Sequence, residues 1–231
     1  DDEAMIKEGA TSAFVEYAKA FNQLQVQVGL RYEYVGFDYY DAGKFVDEQS
    51  KDYSNLFPSI MLSFPIKDIQ VQLGYASDIS RPSYHQLRSN TFYVNRYMYD
   101  KGNPFLMPSI THNVTLGASY KWMNLYVGYS HVKDDITNQT VAYSDDDPTI
   151  GLLTLYNCPA FDKLVAALNI SPTIGCWTPQ LGLAVQKQWY EGETPQGKEW
   201  FNTPIGIVTF RNNFKLPKDF LLDLNGTWTT K

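Results

Sequence analysis

The stretch Leu24-Gln25-Val26-Gln27-Val28-Gly29-Leu30-Arg31-Tyr32-Glu33-Tyr34 decides the fold. Its even positions read Leu, Val, Val, Leu, Tyr, Tyr, and its odd positions Gln, Gln, Gly, Arg, Glu. Successive side chains of a strand point to opposite faces, so a strand separates the two sets completely. A helix would scatter both around its circumference. The same parity divides Val114, Leu116, Ala118, Tyr120 and Trp122 from Thr115, Gly117, Ser119 and Lys121. It also divides Ile69, Val71, Leu73 and Tyr75 from Gln70, Gln72 and Gly74.

Working outward, the alternation predicts ten strands, at about 11–21, 24–39, 53–65, 69–78, 110–122, 125–142, 150–173, 178–190, 200–216 and 220–230. Helical periodicity is weak; 162–168 is the window where helix and strand stay open. A bulge or bend is expected in the seventh strand at Cys158-Pro159-Ala160, where proline cannot donate to a ladder. The links alternate in length. Asn22-Gln23, Ile66-Lys67-Asp68, Met123-Asn124, 174–177 and Pro217-Lys218-Asp219 are short, whereas 40–52, 79–109, 143–149 and 191–199 are longer. In an antiparallel meander this sorts short turns to one end and long loops to the other. That is the outer-membrane barrel pattern. A Greek-key sandwich has no reason for it.

Composition agrees. Hydrophobic residues make up 44% and aromatics 15%, with 17 Tyr against 5 Trp. A mean hydropathy of −0.33 and the lack of a long apolar run exclude helical spans, but not strands that alternate lipid-facing and lumen-facing residues. Phe21, Phe64, Trp122, Trp177 and Phe220 flank the short turns, and Tyr39, Tyr40, Tyr53, Trp189, Tyr190 and Trp200 the long loops. Two interfacial girdles are expected from them, alongside ordinary strand propensity. A net charge of −6 without a basic block argues against nucleic acid. Two cysteines make no disulfide scaffold, and the opening DDEAMIKEG has neither the basic nor the apolar region of a signal peptide. With short turns on the periplasmic side, both ends of the chain fall outside the cell. The ten strands are then expected to be part of a larger barrel, closed by strands that lie elsewhere.

Four motifs, in order, carry a resemblance: Gly29-Leu30-Arg31-Tyr32-Glu33, Asn55-Leu56-Phe57-Pro58-Ser59, Ser80-Arg81-Pro82-Ser83-Tyr84-His85-Gln86-Leu87 and Gly102-Asn103-Pro104-Phe105-Leu106-Met107-Pro108. Together they resemble the barrel of Bacteroidota TonB-dependent receptors, in the outer-membrane β-barrel protein family. The resemblance implies a 22-stranded barrel, a plug domain and a TonB-engaging segment, neither of the last two recognisable in these residues. It implies outer-membrane lipid and TonB as partners, with a surface lipoprotein as a further one. Physically, Pro82, Pro104 and Pro108 stiffen the long loop and Gly102 is able to take φ > 0. The guanidinium of Arg81 suits a carboxylate or carbonyls on the lumen side, either those of a ligand or those of a wall residue that fastens the loop.

The sequence shows no HExxH, GxSxG, P-loop or Rossmann pattern, so neither an enzyme nor a cofactor is expected. His85, His112 and His131 lie far apart in sequence, and no metal site is expected of them. Asp145-Asp146-Asp147 reads as a solvated loop tip before a Ca²⁺ site, and the Asn-x-Ser/Thr triplets as chance. Cys158 and Cys176 are expected to stay unpaired, with the strand 161–173 between them. The expected function is an outer-membrane receptor or transporter passing a ligand through its lumen. Arg81, Tyr84, Tyr93, Tyr97, Tyr99, Trp189, Tyr190 and Trp200 are candidate ligand contacts, though the aromatics are equally able to pack loop on loop. The rivals are a secreted carbohydrate-binding β-sandwich and a structural barrel subunit. The substrate is not legible.

Overall fold

The computed structural model describes residues 4–144, 148–194 and 197–230. They form 16 strands and two single-turn 3₁₀ segments, with no α-helix among the described residues. The wall is built by β1 (Ala4–Phe21), β2 (Leu24–Asp41), β4 (Lys51–Ile66), β5 (Ile69–Ser80), β8 (Ser109–Tyr120), β9 (Met123–Lys133), β12 (Phe161–Ile170), β13 (Trp177–Thr194), β15 (Ile205–Lys215) and β16 (Leu221–Thr229). These ten are hydrogen-bonded in chain order, every pair antiparallel. This is a single up-and-down sheet, open between β1 and β16. β3 (Lys44–Phe45) extends β2, and β14 (Gly197–Phe201) extends β13. No second sheet covers either wall face along its length, which removes the sandwich. The window left open at 162–168 is strand.

The register explains the alternation. One row runs Val26–Leu62–Leu73–Leu116–Val127–Ala166–Val185 across seven strands, all on one face. A row on the other face runs Gln25–Ser63–Gln72–Gly117–Tyr126–Ala167. A slip of one residue at any pair would carry a whole strand's apolar set to the wrong side, so the sequence specifies the register strongly. At the short-turn end Asn22, Lys67 and Lys121 adopt φ of 53°, 55° and 47° and close two-residue hairpins.

The long-loop end departs from the expected strands. The predicted strand 125–142 ends at Lys133, because Asp134 takes a left-handed φ of 55°. The chain then leaves the wall as β10 (Ile136–Ala142). The predicted strand 150–173 is likewise two, β11 (Gly151–Asn157) and β12: the irregularity expected at Cys158-Pro159-Ala160 is a full break, with the two halves in different sheets. The loop expected at 79–109 holds β6 (Thr91–Asn95) and β7 (Met98–Lys101). β10, β11, β7 and β6, in that order, make a separate four-stranded sheet whose β11–β7 pair is parallel. The link expected at 143–149 therefore joins β10 to β11 within an excursion that leaves the wall at Asp134 and rejoins it at Phe161.

Candidate functional site

Both excursions lean over the polar face of the wall at its long-loop end. There the parity of β2 still alternates, but the inward set changes from Gln25 and Gln27 to Val35, Phe37 and Tyr39, all buried. Phe37 and Tyr39 pack with Leu87 and Leu106 of the 81–108 excursion, and with Ile136 and Leu155 of the second one. A second cluster joins Val132, Cys158 and Phe161 to Tyr156 and Tyr190. Burial raises the Cys158 thiol above its usual pKa, and the nearby Asp135 adds to the effect.

The signature residues hold this lining in place. Arg81 is ion-paired to Glu33, which also meets Arg31 at 3.3 Å. Tyr84 donates from its hydroxyl to Glu8 at 3.0 Å, and that bond raises its phenol pKa. The Lys51 ammonium donates to the Phe105 carbonyl at 3.0 Å, and Tyr39 Oη lies 2.9 Å from Ser89 Oγ. Arg81 is thus held by a wall carboxylate. Gly102 is not in the left-handed region expected of it; its requirement is close approach. A Cβ there would sit 2.5 Å from the Gln86 carbonyl oxygen and 2.6 Å from that of Arg88. Next to it, the Asn103 amide donates to the Gln86 carbonyl at 2.7 Å. The Asn103 side chain ties the two excursions together by donating to the Leu155 carbonyl at 2.9 Å. Asn157 does the same in reverse: its Oδ1 accepts from the Met107 amide at 2.7 Å and its Nδ2 donates to the Met107 carbonyl at 2.9 Å. Beneath the lining a cavity of about 30 Å³ remains. A water needs roughly 10–15 Å³ of such volume, so this packing seam has room for water.

The other candidate residues fall in two places. Tyr93 packs edge-on against Tyr99 with ring centroids 5.7 Å apart, and Tyr99 stacks on Tyr143 at 4.3 Å. Tyr84, Tyr93, Tyr97 and Trp200 keep more than half of their surface exposed. Tyr190 is committed to packing, 5.3 Å from the Phe161 ring and with its hydroxyl 3.1 Å from that of Tyr156. Trp189 lies on the opposite, apolar face, with Lys187 over its ring at 5.1 Å. The eight residues therefore do not form one site. The expected upper girdle is corrected in part by the same parity: Tyr39, Tyr53 and Tyr190 point to the polar face and the loops, whereas Tyr40 and Trp189 stay on the apolar one, where Tyr75 and Tyr129 join them. The sequence reading missed Glu8, Glu33, Asn103 and Asn157; the inward parity of Glu33 was its one available signal.

Cys158 and Cys176 are both free, at opposite ends of β12, about 33 Å of strand apart. Among the described residues no three His, Cys, Asp or Glu side chains gather. Asp145-Asp146-Asp147 lies outside the described residues. His112 and His131, remote in sequence, are paired directly across β8 and β9.

A meander wall with one apolar face, one mainly polar face, tight turns at one end and an infolded loop layer at the other is the wall of an outer-membrane β-barrel. The chain belongs to the outer membrane protein beta-barrel family, whose profile matches residues 2–231. It is accordingly a protein of the cell outer membrane. No curated protein matches it in sequence. Among solved structures it is similar to the siderophore receptor PirA from Pseudomonas aeruginosa, with 12% identity and a TM-score of 0.64 over 99% of this chain and 49% of that one. It is also similar to the FrpB iron transporter from Neisseria meningitidis (F5-1 variant), with 15% identity and a TM-score of 0.66 over 96% of this chain and 33% of that one. The copper transporter OprC matches at 13% identity and a TM-score of 0.58, over 96% of this chain and 39% of that one. The chain spans between a third and a half of these proteins' lengths. The fold is that of part of the barrel wall of these outer-membrane proteins.

Proposed function

We propose that the chain is wall and loop layer of a Bacteroidota TonB-dependent receptor, which takes up an unidentified ligand through its lumen. The supporting observation is the direction of the loop layer. Residues 81–108 fold onto the face that lines the lumen, so the mouth has a built inner lining where a simple membrane anchor would need none. On this reading the strands closing the barrel, a plug and the segment that meets TonB belong to the remainder of the full-length protein. A surface lipoprotein would sit over the exposed side of the loops. The exposed Tyr84, Tyr93, Tyr97 and Trp200 remain the candidate ligand contacts on this reading.

A growth screen tests this. A strain deleted for the gene and a strain lacking TonB are compared with wild type across single limiting sources of iron, cofactor, peptide and glycan. The deletion is expected to share at least one uptake defect with the TonB-deficient strain, and a protonophore to abolish the corresponding import in wild type. A deletion strain with no shared defect, or import that persists without the proton gradient, refutes the proposal.

A further inference from the structure

Along β9 the apolar face reads Met123, Leu125, Val127, Tyr129, then His131 and Lys133. His131 stands about 27 Å along the strand from Met123, which a tilt of about 40° reduces to about 20 Å of membrane depth. The apolar band of such a barrel is about 25 Å tall, so aliphatic side chains give way to imidazole and ammonium near its upper edge, at headgroup level.

The two imidazoles there are braced. His112 faces His131 directly across the β8–β9 pair. His112 places Nδ1 3.0 Å from the hydroxyl of Tyr75, with the two rings stacked at 6.3 Å. His131 places Nδ1 2.7 Å from Asp162 Oδ1, which also accepts the Tyr129 hydroxyl at 2.8 Å. Both rings are thus held by one nitrogen, which leaves each Nε2 for a group outside the chain. Lys133 follows on the same face, exposed.

We propose that His112, His131 and Lys133 bind the phosphate of a membrane-lipid headgroup, with Tyr75 and Asp162 as positioning residues. The inference rests on the reading that this face meets lipid. Phosphate oxygens accept from imidazole N–H and ammonium groups in short, charge-assisted bonds. Asp162 and the Tyr75 hydroxyl each engage an Nδ1, which turns both Nε2 edges outward toward the headgroup. Binding there would fix the rotation of the wall against the outer headgroup layer.

The full-length protein, purified in dodecyl maltoside, is titrated by calorimetry with three probes: dihexanoyl phosphatidate, dihexanoylglycerol and inorganic phosphate. Phosphatidate is expected to bind at least about tenfold tighter than either of the others, the gain of one charged hydrogen bond. The triple variant His112→Ala, His131→Ala, Lys133→Ala is expected to lose that preference. Lys133→Gln, at an exposed position that leaves packing intact, is expected to lose part of it, and so is Asp162→Asn. Equal binding of phosphatidate and dihexanoylglycerol overturns the site, as does a preference that survives in the triple variant. Inorganic phosphate binding as tightly as phosphatidate means an adventitious ion only, and overturns it too. A protein that stays monodisperse without detergent would instead refute the membrane wall beneath the inference.

Discussion

Replacing Gly102 with Ala tests the loop layer most directly. The new methyl would meet two backbone carbonyl oxygens, those of Gln86 at 2.5 Å and Arg88 at 2.6 Å, closer than any Cβ tolerates. Neither oxygen sits on a flexible side chain, so the 86–103 contact must open. Opening breaks the 2.7 Å bond from the Asn103 amide to Gln86, at about 1 kcal/mol. Overpacking adds about 1–3 kcal/mol. The closed lining should then be destabilised by about 2–4 kcal/mol, so its detached population rises about 30- to 900-fold. Amide hydrogen exchange on the detergent-solubilised protein measures this residue by residue. Protection of the Asn103 and Leu87 amides is expected to fall by that factor, while wall amides such as those of Leu73 and Leu116 stay unchanged. Unchanged protection at Asn103 would refute the close-approach argument. Equal loss throughout the wall would show that the loop layer is not a separable unit.

Two further outcomes follow from the same contacts. In a double-mutant cycle of Arg81→Ala with Glu33→Gln, hydrogen exchange of 83–87 is expected to give a coupling of about 1 kcal/mol, because the Glu33 side chain is only 13% exposed; zero coupling would mean the pair does not hold the loop. Cys158 should react with iodoacetamide far more slowly than Cys176, being buried with a raised pKa. Since the folded-state pKa is raised, the stability contributed by the neutral thiol is complete below the ordinary value of about 8.5 and is lost as pH climbs through the higher folded value. Labelling of Cys158 at pH 7.5 as fast as that of Cys176 would contradict its burial.

The wall was legible because each of its residues answers to a local rule. Parity alone sorts Leu24 to Tyr34, and two-residue turns such as Asn22-Gln23 connect neighbours in sequence. What escaped was set by contacts between distant segments. Nothing near Ile136–Ala142 distinguishes a strand that continues β9 from one that turns away at Asp134, because alternation persists through both. β6 and β7 were read as loop for a similar reason: the β7 partner, Gly151–Leu153, arrives from the next excursion. The proline and glycine signature did announce a rigid loop, and Arg81 did point to a carboxylate. That the carboxylate would be Glu33 follows only from the way the loop folds inward. Aromatic residues near loops were assigned to one girdle by height, although parity already divided Tyr39 and Tyr53 from Tyr75 and Tyr129.

The parallel pairing of Met98–Asp100 with Gly151–Leu153 has a consequence for biogenesis. Adjacent hairpins of the wall can zip one after another as they enter the membrane, each closing a short loop. The outer sheet cannot, because its middle pair joins segments brought to the same end only after β8 and β9 have been laid down. Its completion therefore reports that the neighbouring wall is in register: a wall slipped by one hairpin would present β7 and β11 to each other out of phase, and the four-stranded sheet would not form.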